Sequence, residues 1–348
     1  MDSDPPFHKA YKTLFDKTAD KATATIINSN TNNKDHEEML QLVIVEECDL
    51  PLIDLQRLEL GEREREECKL EIARASQEWG FFQVVNHGVS GGLLQKMKIE
   101  QEKVFKQSFD KKSQEDKHLN FSAGSYRWGT PSATCLRQLA WSEAFHIPLK
   151  DISTSSAAGL DYNLSSTMEQ FATTVSSLAL NLAEILAEKL GHKSTFFQAN
   201  CLPSTCYLRL NRYPPCPIPS EVFGLMPHTD SDFLTILHQD QVGGLQLVKD
   251  GIWIAVKPNP AALIINIGDL FQAWSNNVYK SVQHRVVTNL AVERFSTAYF
   301  LCPSYETVIQ SCREPSVYRK FSFGEYRRQV QEDVKMLGSK IGLPRFVV

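Results

Sequence analysis

His228-Thr229-Asp230 places an imidazole and a carboxylate two residues apart. On a strand, residues i and i+2 point to one face, so this pair can grip one ion without distorting the backbone. Two further histidines follow, His238 and His284. His284 opens the strand-like run Gln283-His284-Arg285-Val286-Val287, where a neighbouring strand can deliver it. Two histidines and a carboxylate form a facial triad that leaves three positions of an octahedral iron open. Zinc more commonly takes a third His or a Cys. An H-x-D pair by itself also arises without any metal. A second signal is Arg294-Phe295-Ser296. Arg294 and Ser296 share a strand face, and a guanidinium beside a hydroxyl can hold a carboxylate through charge-assisted bonds. A triad with a carboxylate clamp is what an iron enzyme with an α-keto acid cosubstrate needs. A zinc hydrolase using the same triad is a competing class, and the clamp argues against it.

These groups need a rigid base. From about Cys206 the chain reads as short strands: Tyr207 to Leu210, Phe233 to Leu237, Gly244 to Val248, Trp253 to Val256, Ala262 to Ile267, His284 to Val287 and Phe295 to Leu301. Asp250-Gly251 between two of them is a hairpin signal. Such a run of short strands predicts a sandwich or jelly roll. The preceding part reads helical. Cys68, Ile72, Ala75 and Trp79 recur at helical spacing, Gly80 ends that helix, and Phe81 to Val85 reads as a strand. A second helix is expected from the capping box Ser166-Thr167-Met168-Glu169, with a core stripe of Met168, Phe171, Val175, Leu178, Leu182 and Ile185, and Gly191 at its end. A closing helix is expected from Ser322 to about Leu337. The fold class is therefore α+β with a mainly β core, helices flanking a double-sheet jelly roll. Residues 1–40 are expected to be a disordered tail, because Asn28 to Asp35 is polar throughout. Residues 48–165 form a mixed N-terminal region, and 166–348 carry the long helix, the β core and the closing helix.

The 348 residues are 42% hydrophobic and 22% charged, an ordinary globular balance. With 37 basic and 41 acidic residues the net charge is −4, so no global field attracts nucleic acid or an anionic membrane. The N-terminus has no secretory pattern, and the most apolar runs are far shorter than the ~20 residues that span a bilayer. Eight cysteines without a C-x-x-C pair read as reduced thiols, which points to the cytoplasm, with nuclear access open. The residues leave oligomeric state open.

Beyond the triad and clamp, further motifs give a specific combination: Leu50-Pro51-Leu52-Ile53-Asp54, Trp79-Gly80-Phe81-Phe82-Gln83-Val84-Val85-Asn86-His87-Gly88 and Asn211-Arg212-Tyr213-Pro214-Pro215-Cys216. With them the sequence resembles the plant-type iron(II) and 2-oxoglutarate-dependent dioxygenases over about residues 48 to 345. The resemblance implies a distorted jelly roll, a double-stranded β-helix, holding Fe(II) through His228, Asp230 and His284. It also implies 2-oxoglutarate bound by Arg294 and Ser296 at its distal carboxylate, with Tyr213 near the other end and Asn211 nearby. His87 reads as structural. Three segments, 125–134, 138–148 and 206–213, resemble gibberellin 2-oxidases of the class acting on C20 precursors. One departure is Arg212, where many members have His.

The chemistry implied is hydroxylation of an unactivated C–H bond using O₂, with 2-oxoglutarate converted to succinate and CO₂ and ascorbate as a reductant. On a gibberellin the outcome would be 2β-hydroxylation and deactivation. The substrate implied is a rigid apolar diterpenoid carboxylate, for which Tyr126 and Arg127 are the candidate contacts. Alternatives are the same chemistry on another diterpenoid or a flavonoid, and a non-catalytic gibberellin-binding protein.

Overall fold

The computed structural model describes residues 3–16, 45–114, 124–155, 162–192 and 195–348. Its strands are β1 Glu47–Cys48, β2 Leu52–Asp54, β3 Phe81–Val85, β4 Tyr126–Trp128, β5 Glu143–Pro148, β6 Tyr207–Tyr213 and β7 Phe223–His228. They continue with β8 Leu234–Gln239, β9 Leu245–Lys249, β10 Ile252–Val256, β11 Leu263–Ile267, β12 His284–Val287 and β13 Arg294–Leu301. An eight-stranded sheet runs β2-β3-β11-β8-β13-β6-β5-β4, and a five-stranded sheet runs β1-β10-β9-β12-β7. The two face each other as a jelly-roll core. β2 to β5, from the 48–165 region, complete the large sheet whose other strands come from the 166–348 region.

The helix Tyr162–Lys189 covers the outer face of the large sheet. Met168, Phe171, Val175, Leu182 and Ile185 of its stripe are buried, as helical spacing requires. It begins earlier than the capping box suggests. Ser166 lies inside the helix, where its Oγ accepts from Gln170 Nε2. The other helix limits follow their signals. Gly80 sits at φ +65°, and a Cβ there would lie 2.2 Å from Lys280 O, so only glycine can end the helix Glu62–Glu78 at that point. Ser322 Oγ caps the helix Phe323–Leu337 by accepting from Glu325 N. Asp250 and Gly251 both have positive φ and join β9 to β10, as the hairpin signal predicts.

The disordered-tail expectation is corrected at its start. Residues 3–16 are placed, with the short helix Phe7–Ala10 among them. Phe7 stacks on Trp141 at 4.3 Å between ring centres, and Asp4 pairs with Arg212 at 2.8 Å. Phe7 and Phe15, the latter edge-on at 6.3 Å, pack against Trp141 and offset the ordering cost that a polar segment cannot meet. The polar run Asn28 to Asp35 lies outside the described residues.

Candidate active site

The metal-ligating geometry comes from two antiparallel strands. β7 pairs with β12 so that His228 stands directly opposite His284, with ring centres 4.3 Å apart. The sequence reading missed β7. Its residues include Gly224 and Pro227, both poor strand formers. They are tolerated because β7 is the edge of its sheet and its ladder is irregular. Consequently the H-x-D pair does not lie on one strand: His228 is the last residue of β7, and Asp230 sits in the turn before β8. The turn is tied down instead by Asp269, whose Oδ2 accepts from Thr229 Oγ1 at 3.0 Å and from the Tyr326 hydroxyl. Lys340 Nζ reaches the same oxygen at 2.6 Å, and also donates to Thr229 O and Ser231 Oγ.

Each ligand has one atom committed and one atom spare. His228 Nδ1 lies 2.8 Å from Met226 O, and His284 Nδ1 lies 3.1 Å from Val282 O. A carbonyl accepts, so both Nδ1 atoms carry the proton and both Nε2 lone pairs are free. Asp230 Oδ2 accepts from Thr235 Oγ1 at 2.6 Å and from Asn266 Nδ2 at 2.8 Å. That leaves Asp230 Oδ1, which lies 3.5 Å from His228 Nε2 and 3.8 Å from His284 Nε2. The three donor atoms fall within 4.8 Å of one another. Burial works to raise the Asp230 carboxyl, but both imidazoles and Thr235 overcome it and hold the group well below the usual range. Burial, with His228 beside it, pushes His284 down to about 4. Both groups therefore stand in the protonation state that a metal requires at neutral pH. His238 is not part of this cluster. Its Nε2 lies 3.2 Å from Pro260 O.

Beside the triad is a cavity of about 290 Å³. Strand periodicity decides which residues line it. From β6 they are Tyr207, Arg209, Asn211 and Tyr213, and from β13 they are Arg294, Ser296, Ala298 and Phe300. Arg294 stands opposite Tyr213 and Ser296 opposite Asn211. Arg294 is 3% exposed; its Nη2 donates to Gln239 Oε1 at 2.8 Å, while Nε and Nη1 are buried without a partner. A buried guanidinium with two orphaned donors is costly unless an anion completes it, so the residues fit a carboxylate ligand. Asn211 Nδ2 lies 3.3 Å from Ser296 Oγ, and Gln101 Nε2 fastens both strands by donating to Asn211 O and Ser296 O. Gly224 passes close to Tyr213: a Cβ there would meet the ring at 2.6 Å.

The structure places the two expected substrate contacts away from this cavity. Tyr126 is buried, and its hydroxyl donates to Glu143 Oε2 at 2.5 Å. Arg127 is exposed, with its Nε 3.4 Å from Gly124 O. Both lie on β4, the far edge of the large sheet, and neither lines the cavity. Arg212 belongs to the same network. It alternates to the face of β6 away from the cavity and pairs with Glu143 at 2.7 Å and Glu293 at 2.8 Å. His87 lies outside the site, with its Nδ1 accepting from Val89 N and its Nε2 3.3 Å from Ala261 O. Leu237 and Phe300 are cavity walls, whereas Phe233 packs on Phe197 and Phe271 in the core. Sequence reasoning missed Arg209 and Arg327, which also line the cavity. For Arg209 the alternation from Asn211 was an available signal.

A jelly roll with a His-Asp-His triad beside a buried arginine defines a non-haem iron oxygenase that uses a keto acid. The profile of the 2OG-Fe(II) oxygenase superfamily matches residues 204–303, and that of the non-haem dioxygenase in morphine synthesis N-terminal region matches 50–164. The chain belongs to the 2OG-Fe(II) oxygenase family, whose metal is Fe(II) and whose cosubstrate is 2-oxoglutarate. Within it, the chain is 62% identical to gibberellin 2-beta-dioxygenase 8 of Arabidopsis thaliana, across 99% of this chain and 98% of that one. It is 53% identical to gibberellin 2-beta-dioxygenase 6 of Oryza sativa subsp. japonica, across 86% and 85%. Among solved structures it is similar to JOX2 in complex with 2OG, Fe and JA, with TM-score 0.71 and 30% identity over 88% of this chain and 91% of that one.

Proposed function

We propose that this protein 2β-hydroxylates gibberellins, with C20 precursors preferred, and so deactivates the hormone pathway. The observation that carries the reading is the 62% identity, over nearly the whole length of both chains, to a gibberellin 2-beta-dioxygenase. The likeness of segments 125–134, 138–148 and 206–213 to the C20 class supports the preference.

In this reading His228 Nε2, His284 Nε2 and Asp230 Oδ1 would hold the iron. Bound Fe(II) with 2-oxoglutarate supplies the oxidising power that hydroxylates an unactivated C–H bond, splitting O₂ between product and succinate with release of CO₂. The protein's part is positional. Thr235 and Asn266 keep one Asp230 oxygen occupied, so the other faces the metal position. Arg294 would neutralise the distal carboxylate of 2-oxoglutarate and the Ser296 hydroxyl would donate to it, with Tyr213 and Asn211 beside them. Leu225, Leu245, Val286, Phe300, Val330 and Val334 give the cavity apolar walls suited to a diterpenoid. The chain's location in the cytoplasm is part of this proposal. Among the described residues no helix is long and apolar enough to cross a membrane.

The test is mass spectrometry of the purified protein with Fe(II), 2-oxoglutarate, ascorbate, O₂ and a panel of C20 and C19 gibberellins. The expected result is a product heavier by one oxygen, from C20 members and only with 2-oxoglutarate present; NMR then places the hydroxyl. Succinate formation driven by another acceptor, with no gibberellin changed, would keep the chemistry and reject the hormone substrate.

A further inference from the structure

The cavity must meet more negative charge than the clamp can neutralise. 2-Oxoglutarate carries two carboxylates, one for the metal and one for Arg294, and a gibberellin brings at least one more. Among the described residues four arginine and lysine cations line the cavity: Arg209, Arg294, Arg327 and Lys340. Arg294 is used by the cosubstrate. Lys340 is already neutralised by Asp269 at 2.6 Å, and its other protons go to Thr229 O and Ser231 Oγ. Two cations remain. Arg209 donates through Nε to the neutral Asn211 Oδ1 at 2.8 Å and, among the described residues, pairs with no carboxylate. Arg327, half-buried, has no hydrogen-bond or ion-pair partner among the described residues.

Their placement is that of a recognition site. Arg209 stands opposite Ala298, four residues along β6 from Tyr213, and so about 13 Å from the Arg294 end at 3.3 Å per residue. Arg327 lies on the helix Phe323–Leu337, where Val330 and Val334 follow at i+3 and i+7 and line the same cavity. One rigid helix face thus offers a cation and then an apolar wall. Tyr207, stacked on Phe300 at 4.4 Å, forms the adjoining floor.

We infer that Arg327, together with Arg209 of the same cavity lining, binds the carboxylate of the substrate at the end of the cavity opposite the 2-oxoglutarate clamp. This orients an otherwise apolar, rigid molecule toward the triad. The inference rests on the gibberellin reading above.

The experiment compares a gibberellin acid with its fully methylated ester in the wild type, Arg327→Gln and Arg327→Lys. The readouts are kcat/KM by product mass spectrometry and the KM for 2-oxoglutarate. An acid-to-ester ratio within one variant is independent of how much of that variant is folded. The wild type should prefer the acid by about 10–100-fold, the worth of a charged hydrogen bond. Arg327→Gln should lose that preference through the acid alone, Arg327→Lys should restore part of it, and the KM for 2-oxoglutarate should stay within about twofold. A wild-type ratio retained in Arg327→Gln, or equal use of acid and ester by the wild type, would overturn the inference and leave the gibberellin reading standing. No product from any gibberellin with the wild type would overturn that reading, and this inference with it.

Discussion

Arg294 and Tyr213 stand opposite each other on β13 and β6, and the guanidinium carbon lies 4.9 Å from the centre of the phenol ring. The ring covers one face of the cation, Gln239 holds one nitrogen, and the two remaining donors stay buried and unpaired. The arginine is thereby preorganised for an anion, because the desolvation cost is already met in folding.

Replacing Arg294 by Ala should raise the KM for 2-oxoglutarate by about 10–100-fold, the loss expected for charge-assisted hydrogen bonds. Initial rates against 2-oxoglutarate concentration measure it. An unchanged KM would place the distal carboxylate elsewhere.

Asp230→Ala should abolish turnover by weakening iron binding, and a chelator should do the same to the wild type reversibly. Asn266→Ala, which frees Asp230 Oδ2 from one of its two donors, should weaken metal affinity by about 10–100-fold while leaving all three ligands in place. Titration of Fe(II) into the metal-free proteins gives both numbers. Wild-type turnover in Asp230→Ala would remove this residue from the triad.

Lys112 and Glu143 form an ion pair with both side chains fully buried, at 2.5 Å. Burial lowers the Lys112 pKa against the pull of Glu143. Lys112→Met should destabilise the fold by about 3 kcal/mol, near the lower end for a broken buried pair, because Arg212 and Tyr126 still serve Glu143. Urea unfolding reports the change, and the KM for 2-oxoglutarate should not move, since the network lies across the sheet from the cavity. A loss below about 1 kcal/mol would mean that Arg212 alone neutralises Glu143.

His146 is held down to about 3 from an ordinary 6.5, first by burial and then by Arg209, Arg127 and Arg327. The unfolded chain therefore binds its proton first as pH falls. Its contribution is whole above pH 6.5 and is lost progressively as the pH drops toward about 3. His146→Gln should lose less stability than the wild type between pH 7 and pH 4.5. Parallel denaturation series at the two pH values test this; identical slopes would show that His146 does not titrate in that window.

The sequence by itself determined the chemistry of the site and most of the elements. The donor types of His228, Asp230 and His284, the Arg294–Ser296 alternation, the glycine stop at Gly80, the Ser322 cap and the long helix stripe are local signals. Each depends on residues within one or two turns or one strand, so periodicity and capping reveal them. Only the tertiary structure decided what depends on distant partners. β7 exists as a strand because β12 pairs with it; its own Gly224 and Pro227 argue against one. Residues 3–16 are placed because Phe7 finds Trp141 and Asp4 finds Arg212, contacts more than 130 positions away in the chain. Tyr126 and Arg127 looked suited to a substrate until sheet order put β4 at the far edge. Arg327 was just another charge on an amphipathic helix. Which of its sides meets the cavity depends on how that helix docks, and docking is settled by packing across the whole core.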